Sequence, residues 1–147
     1  MDVRGRWWLL VPSIAVGACA AVAVPNLLTA MDRSAQKRTM ADMRTIATAI
    51  EAYNIDHPDW KPQRRGYVAG QLAPLLEPGY VKKMPRLDGW NRPIHVALWT
   101  ADGAAAYRVW SLAKDGKRDA AWGGLTNDFN RDIVYELGAF KQYPEGV

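Results

Sequence analysis

The residues best suited to chemistry are the oxygen-bearing side chains between Asp115 and Asp132. This stretch reads DGKRDAAWGGLTNDFNRD and contains four aspartates, two asparagines and three glycines. Asp128 and Asn130 offer hard oxygen ligands of the kind that Ca²⁺ takes, about six to eight in all. The composition therefore predicts an oxygen-rich surface loop that is a candidate cation site.

A simpler interpretation competes with this one, because Asp, Asn and Gly are also the ordinary residues of surface turns. Asp128–Asp132 imitates the start of an EF-hand loop, but Ile133 stands where the turn glycine belongs and Ala139 where the bidentate glutamate belongs. Four basic residues in or beside the loop would repel a cation: Lys114, Lys117, Arg118 and Arg131.

Catalytic chemistry has little support. His57 stands beside a proline and His95 lies in a strand-like run, and these are the two histidines of the sequence. No nucleophile elbow, phosphate-binding loop or metalloprotease helix is present in the sequence, so we predict a protein that is not an enzyme. The net charge of +4 is spread along the chain, which predicts no nucleic-acid partner.

The element that must position the rest is the uncharged run from Trp7 to Met31. Its 25 residues exceed the roughly 20 that a helix needs to cross a bilayer. We therefore predict a cytoplasmic tail over residues 1–6, a transmembrane anchor over 7–31 and a globular domain over 32–147. Trp7 and Trp8 are interface aromatics at one end of the anchor.

Two other interpretations of this run stay open. It is compatible with a secretory signal peptide, with Ala18-Cys19-Ala20 or Ala21-Val22-Ala23 as the cleavage site, and with a lipoprotein signal that would modify Cys19. We prefer an uncleaved anchor, since the apolar pattern continues past these sites into a helical segment. Such an anchor would pack on neighbouring membrane helices through its small residues, Ala15, Gly17, Ala18, Ala20 and Ala21.

After the anchor, the sequence predicts one long helix. Residues 26–54 contain neither glycine nor proline, and three- and four-residue steps place an apolar stripe on one face: Met43, Ile46, Ala47, Ile50 and Tyr53. His57-Pro58 ends the helix, because the residue before a proline is pushed out of helical geometry.

A small sheet is expected after this helix. Residues 59–66 read as a polar loop and residues 71–76 as a short helical turn. Residues 94–99 and 107–112 are rich in β-branched and aromatic side chains, and the turn at 101–104 joins them into a hairpin. Residues 132–137 make a third strand. The fold class is therefore α+β, a long N-terminal helix packed on a small antiparallel β-sheet.

These features together resemble the type IV pilin superfamily, and in particular the major pseudopilin of type II secretion systems. The resemblance is carried by Gly17 with Val24-Pro25-Asn26-Leu27, by ATAIEAYNID at 47–56, by GYVKKMP at 79–85 and by YRVWSLAKDG at 107–116. It covers nearly the whole chain. It implies a pilin-like fold, a bacterial inner-membrane location with a single pass, and a periplasmic C-terminal domain.

The resemblance also implies a metal site. The resembled pseudopilins bind calcium in the corresponding loop through a backbone carbonyl and aspartates. Carried onto this sequence, the matching ligands are Leu112, Asp115 and Asp132, to which Asp128 and Asn130 add further oxygens. Ca²⁺ is the one cofactor expected.

Two departures from the family shape the functional prediction. The sequence contains no Phe-Thr-Leu-Ile-Glu, and Trp8 stands where the family has a glutamate that pairs with the N-terminus of a neighbouring subunit. We therefore predict a structural accessory subunit that docks on the transmembrane helices of a larger membrane complex. The alternatives are a filament subunit that packs on like pseudopilins, and a periplasmic calcium-dependent binding module whose signal is cleaved.

The basic residues oppose the predicted orientation. Arg4 and Arg6 precede the anchor, whereas four basic residues follow it: Arg33, Lys37, Arg38 and Arg44. The positive-inside rule would keep the larger domain in the cytoplasm. The periplasmic prediction therefore rests on the resemblance.

Overall fold

The structure, a computed structural model, describes the backbone of residues 7–145 and the side chains of residues 24–145. Its contacts divide the chain into two compact units, Met1–Arg33 and Ser34–Val147. Helix α1 covers Trp7–Asp56, so its predicted end at His57-Pro58 is confirmed.

In the second unit, the predicted apolar stripe of α1 forms one side of the hydrophobic core. Met43, Ile46, Ala47 and Ile50 are at most 2% exposed, and Tyr53 packs at the edge of the cluster. The other side of the core is supplied by later segments, chiefly Leu72, Leu76, Met84, Ile94, Val96, Leu98, Tyr107, Val109 and Ile133. Each fully buried large apolar side chain stabilises the fold by about 1.5–3 kcal/mol.

Six strands form one sheet: β1 (Arg65–Val68), β2 (His95–Ala101), β3 (Ala104–Ser111), β4 (Gly124–Thr126), β5 (Ile133–Glu136) and β6 (Ala139–Pro144). Their order is β1-β2-β3-β5-β6-β4, and all neighbours are antiparallel except β4 and β6. A 3-10 turn at Ala69–Leu72 and helix α2 (Ala73–Leu76) precede β2. The predicted α+β class, with a long helix on a small and mostly antiparallel sheet, is confirmed.

Three strands were not predicted from the sequence. The expected polar loop at 59–66 ends in β1, which pairs with β2 in the register Tyr67↔Val96. Strands β4 and β6 pair in parallel, with Leu125 opposite Tyr143. Strands of three to six residues show little periodicity of their own, so their partners in the sheet determine them.

The segment from Asp88 to Arg92 fastens α1 to the sheet. The Gly89 amide donates to Oγ1 of Thr39 on α1 at 2.8 Å. A Cβ at Gly89 would overlap the backbone of Ala35, so only glycine permits this approach. The Asp88 carboxylate, which is 0% exposed, accepts from the amides of Trp90 (2.9 Å) and Arg92 (2.8 Å), and from the Ser111 hydroxyl (2.6 Å).

In the first unit, the described side chains of α1 expose an apolar face. Val24, Leu27, Leu28 and Met31 are 53–62% exposed. Within the part of the chain that the structure describes, no helix is long and apolar enough to cross a membrane. Much of the predicted anchor lies outside the described side chains, including Trp7, Trp8 and the small residues Ala15, Gly17, Ala18, Ala20 and Ala21.

Candidate cation-binding loop

The candidate site is the acidic loop, residues 112–132, which leaves β3, contains the short strand β4 and enters β5. Both ends are fixed, because Ser111 at the end of β3 lies opposite Ile133 at the start of β5. The buried Ser111 hydroxyl bonds Asp88, and its oxygen also accepts the Ala113 amide at 3.0 Å. Two adjacent strands of the sheet therefore hold the loop at its base.

Several of the predicted ligands take part in local turns. Oδ1 of Asp115 accepts the Lys117 amide at 2.9 Å, and Oδ1 of Asp128 accepts the Asn130 amide at the same distance. These are the bonds by which aspartates commonly form turns. The carbonyl of Leu112 accepts the Gly116 amide at 3.1 Å. The side chains of Asp115, Asp128 and Asn130 are exposed.

Asp132 differs from them, because it is 0% exposed. Its Oδ2 accepts the Asp119 amide at 3.1 Å and the indole Nε1–H of Trp122 at 2.8 Å. Among the described residues, no donor reaches its buried Oδ1. Burial raises the pKa of Asp132 above its usual 3.8, and the nearby charges of Asp119 and Asp115 also raise it, whereas the two hydrogen bonds lower it.

Asp119 was not predicted as a site residue from the sequence. Its amide donates to the Asp132 carboxylate, and the Asp132 amide donates in turn to Oδ2 of Asp119 at 2.9 Å. Thirteen residues separate the two aspartates, and no local pattern links them. The side chain of Gln142 on β6, also 0% exposed, donates to the same Oδ2 at 2.6 Å.

The loop fits a calcium ion only in part. The orphaned oxygen of Asp132 is a hard ligand without a donor, as a Ca²⁺ site requires. Yet the described residues contain no group of three or more His, Cys, Asp or Glu side chains placed to hold a metal ion. The structure brings Asp119 and Asp132 together and leaves Asp115 and Asp128 in turns of their own. Calcium binding stays a prediction.

An alternating row of tryptophans and arginines holds the loop against the outer face of the sheet. The guanidinium of Arg108 lies 5.8 Å from the ring centre of Trp99 and 4.8 Å from that of Trp122. Arg118 lies 5.2 Å from the ring centre of Trp122 and 5.8 Å from that of Trp110. This Arg–Trp ladder places the Trp122 indole where it donates to Asp132.

Arg92, in the segment after Asp88, also contacts the acidic loop. Nη2 of Arg92 donates to the carbonyl of Lys114 at 2.8 Å. The same guanidinium occupies the space beside Gly116, which has a φ of +69° and no room for a side chain. The turn at the start of the acidic loop is therefore closed by a positive group of the protein itself.

A long helix whose apolar stripe packs on a mostly antiparallel sheet, with an acidic loop between two neighbouring strands, is the arrangement of a pilin-like subunit. The family model described as type II secretion system (T2SS), protein G, matches residues 26–134, and the chain belongs to this family. The resemblance to the major pseudopilins of the type IV pilin superfamily is thereby confirmed.

Curated relatives agree with the family match. The type II secretion system core protein G of Pseudomonas aeruginosa is 28% identical over 128 residues, covering 82% of this chain and 85% of the relative. Those of Aeromonas hydrophila and Escherichia coli are each 24% identical, over 84% and 74% of this chain and 82% and 79% of the relatives. No solved structure matches the chain significantly.

Proposed function

We propose that this chain is a non-enzymatic structural subunit of a type II secretion or related machine. Residues 7–31 would hold it in the bacterial inner membrane, with the domain in the periplasm. The observation that carries the proposal is the exposed apolar face of α1 at Val24, Leu27, Leu28 and Met31. An apolar face at helical spacing needs cover from lipid or from the helices of other subunits.

Within that role, we favour an accessory subunit that docks on a larger membrane complex. Trp8 stands where the resembled pseudopilins have the glutamate that pairs with the next subunit. An indole cannot form that ion pair, so the charge that sets the stagger between filament subunits is missing from this position. The anchor would instead pack through its small residues on a partner's membrane helix.

A filament subunit is the second candidate, and a specific observation favours it. The relatives named core protein G are matched over about four fifths of their own length. Coverage of this extent supports the same role for this chain as for these relatives. Its partners would then be like subunits.

Intact mass of the protein purified from native membranes separates these candidates. An unprocessed N-terminus is expected for the accessory subunit. Loss of an N-terminal segment with N-methylation would reject it in favour of the filament subunit. Loss of the apolar run without methylation would point to a periplasmic binding module with a cleaved signal.

Substitution on the exposed face tests the structural role itself. Leu28→Ser is expected to abolish co-purification with the partner complex while leaving the melting of the domain unchanged. Ile55→Ser is the matched control, because Ile55 is 77% exposed and lies on the same helix outside that face. Equal co-purification of the two variants would reject the proposed interface.

Calcium binding by the acidic loop is the remaining part of the proposal. Asp132 would hold the ion through its orphaned oxygen, and Asp115, Asp128, Asn130 and the carbonyl of Leu112 would supply the other ligands. When bound, Ca²⁺ would add positive charge beside Asp132, whose pKa is raised first by burial and then by the nearby charges of Asp119 and Asp115. A thermal midpoint that does not change with calcium or with a chelator would remove this site.

A further inference from the structure

The acidic loop contains a positive group that the calcium prediction treated only as a source of repulsion. Arg131 precedes Asp132, and its Nε lies 3.2 Å from Oδ2 of Asp119. Its Nη2 donates to the carbonyl of Ala121 at 3.2 Å and to Oε1 of Gln142 at 3.3 Å. One guanidinium therefore contacts three points of the folded loop.

Oδ2 of Asp119 is the centre of this network. It accepts from the Asp132 amide (2.9 Å) and from Nε2 of Gln142 (2.6 Å), and it faces the guanidinium of Arg131. Gln142 also donates to the Asp132 carbonyl at 2.8 Å and accepts the Gly123 amide at 2.9 Å. Gln142 of β6 thus bonds the loop at several points, and one of them is the Asp119 carboxylate.

The charges explain why a cation is needed at this point. The side chain of Asp119 is 14% exposed and Asp132 is wholly buried, so two carboxylates share a poorly solvated space. Carboxylates in such a space are costly unless a positive group accompanies them. The side chain of Arg131 is 42% exposed, so its charge keeps much of its hydration while it pairs with Asp119.

We propose that Arg131 is the built-in counter-ion of Asp119, whose amide bonds the Asp132 carboxylate. The loop then keeps its fold without a divalent cation, and the charge of Arg131 competes with any Ca²⁺ that the neighbouring Asp132 binds. The first statement stands on the contacts of Arg131, whereas the competition rests on the calcium proposal above. Arg131 acts by positioning these carboxylates.

The test uses thermal melting of the full chain in detergent at neutral pH, with excess EGTA or with millimolar calcium. In EGTA, Arg131→Gln is expected to lower the midpoint by about 5–10 °C, since it leaves the mostly buried Asp119 carboxylate without its counter-ion. Lys117→Gln is the matched control, with the same change of charge at an exposed lysine of the same loop. It should stay within about 2 °C of the parent chain.

Calcium distinguishes a counter-ion from a merely structural arginine. Calcium is expected to raise the midpoint of Arg131→Gln by several degrees and that of the parent chain by much less. Arg131→Lys keeps the charge, so it should melt closer to the parent than the glutamine variant does and show the parent's weak response to calcium.

Four results would decide the parts of the proposal. A parent chain that melts as low in EGTA as Arg131→Gln, and is restored by calcium, would show that the ion and not the arginine stabilises these carboxylates. An Arg131→Gln variant that melts like Lys117→Gln would overturn the counter-ion. Equal calcium responses in parent and variant would reject competition but keep the calcium site. A loss in Arg131→Gln with no response to calcium anywhere would support the counter-ion and reject the calcium site.

Discussion

Asp88 and Asp132 are both 0% exposed, but the fold treats them differently. Asp88 receives two backbone amides and one hydroxyl, so both of its oxygens have donors. Asp132 receives two donors on Oδ2, while its Oδ1 has none among the described residues. Both carboxylates border the same strand pair, β3 and β5.

The difference separates a structural carboxylate from one that is open to a ligand. A buried carboxylate stabilises a fold only when its lone pairs are satisfied, and Asp88 meets that condition. Asp132 does not, and the raised pKa shows that its surroundings disfavour the charged form. Burial alone therefore does not distinguish the two aspartates, whereas incomplete hydrogen bonding makes Asp132 the candidate ligand.

Alanine substitution of the two aspartates tests this contrast with the largest expected effect. Asp88→Ala leaves buried donors without an acceptor and should cost about 3–5 kcal/mol. Asp132→Ala also removes an unsatisfied buried oxygen, which offsets part of the lost stability. We therefore expect roughly half the free-energy cost of Asp88→Ala. Urea unfolding measures both, and equal losses would contradict the distinction.

Trp122→Phe sharpens the account of Asp132, because it keeps the ring in the Arg–Trp ladder and removes the Nε1–H donor. The expected loss is about 1–2 kcal/mol, and the pKa of Asp132 should rise further. Trp99→Phe, at the far end of the ladder, serves as the control and should leave that pKa unchanged. Carboxyl chemical shifts followed by NMR during a pH titration give the readout.

Thr39→Val tests the hydrogen bond between Gly89 and Thr39, which joins the segment after Asp88 to α1, and the expected effect is smaller. The substitution keeps the shape of the side chain and leaves the Gly89 amide without its acceptor on α1. We expect a loss of about 1 kcal/mol by urea unfolding. Thr45→Val is a suitable control, since Thr45 is an exposed threonine of the same helix. Equal stability of the two variants would mean that the Gly89–Thr39 hydrogen bond contributes nothing measurable to the free energy of unfolding.

The pH dependence of stability gives the smallest and most specific effect. The pKa of Asp132 is raised in the folded protein, so the folded state binds that proton more tightly than the unfolded state does. Its contribution to stability is complete below the usual 3.8 and is lost as the pH rises through the raised value. Asp132→Asn should remove this loss, whereas the similar contribution of Asp42 remains in both proteins. If the thermal midpoint of Asp132→Asn changes with pH as steeply as that of the parent chain, the predicted contribution of Asp132 is contradicted.

Much of the fold followed from local patterns. The stripe that includes Met43, Ile46 and Ile50 predicted the buried face of α1, and the turn at 101–104 predicted the hairpin of β2 and β3. Strands β1, β4 and β6 were missed because each is short and is stabilised by a partner elsewhere in the chain. The local patterns also placed the acidic loop, but not the contacts inside it.

The sequence by itself determined the positions of the helix, the hairpin and the acidic loop, because helical periodicity, turn residues and a proline act on their near neighbours. Only the tertiary structure decided which acidic residues meet. Asp119, Asp132 and Gln142 come together because β5 and β6 are adjacent in the sheet, and this adjacency arises from packing over long separations. The same packing places Arg131 on Asp119 and leaves one oxygen of Asp132 without a donor from the described residues.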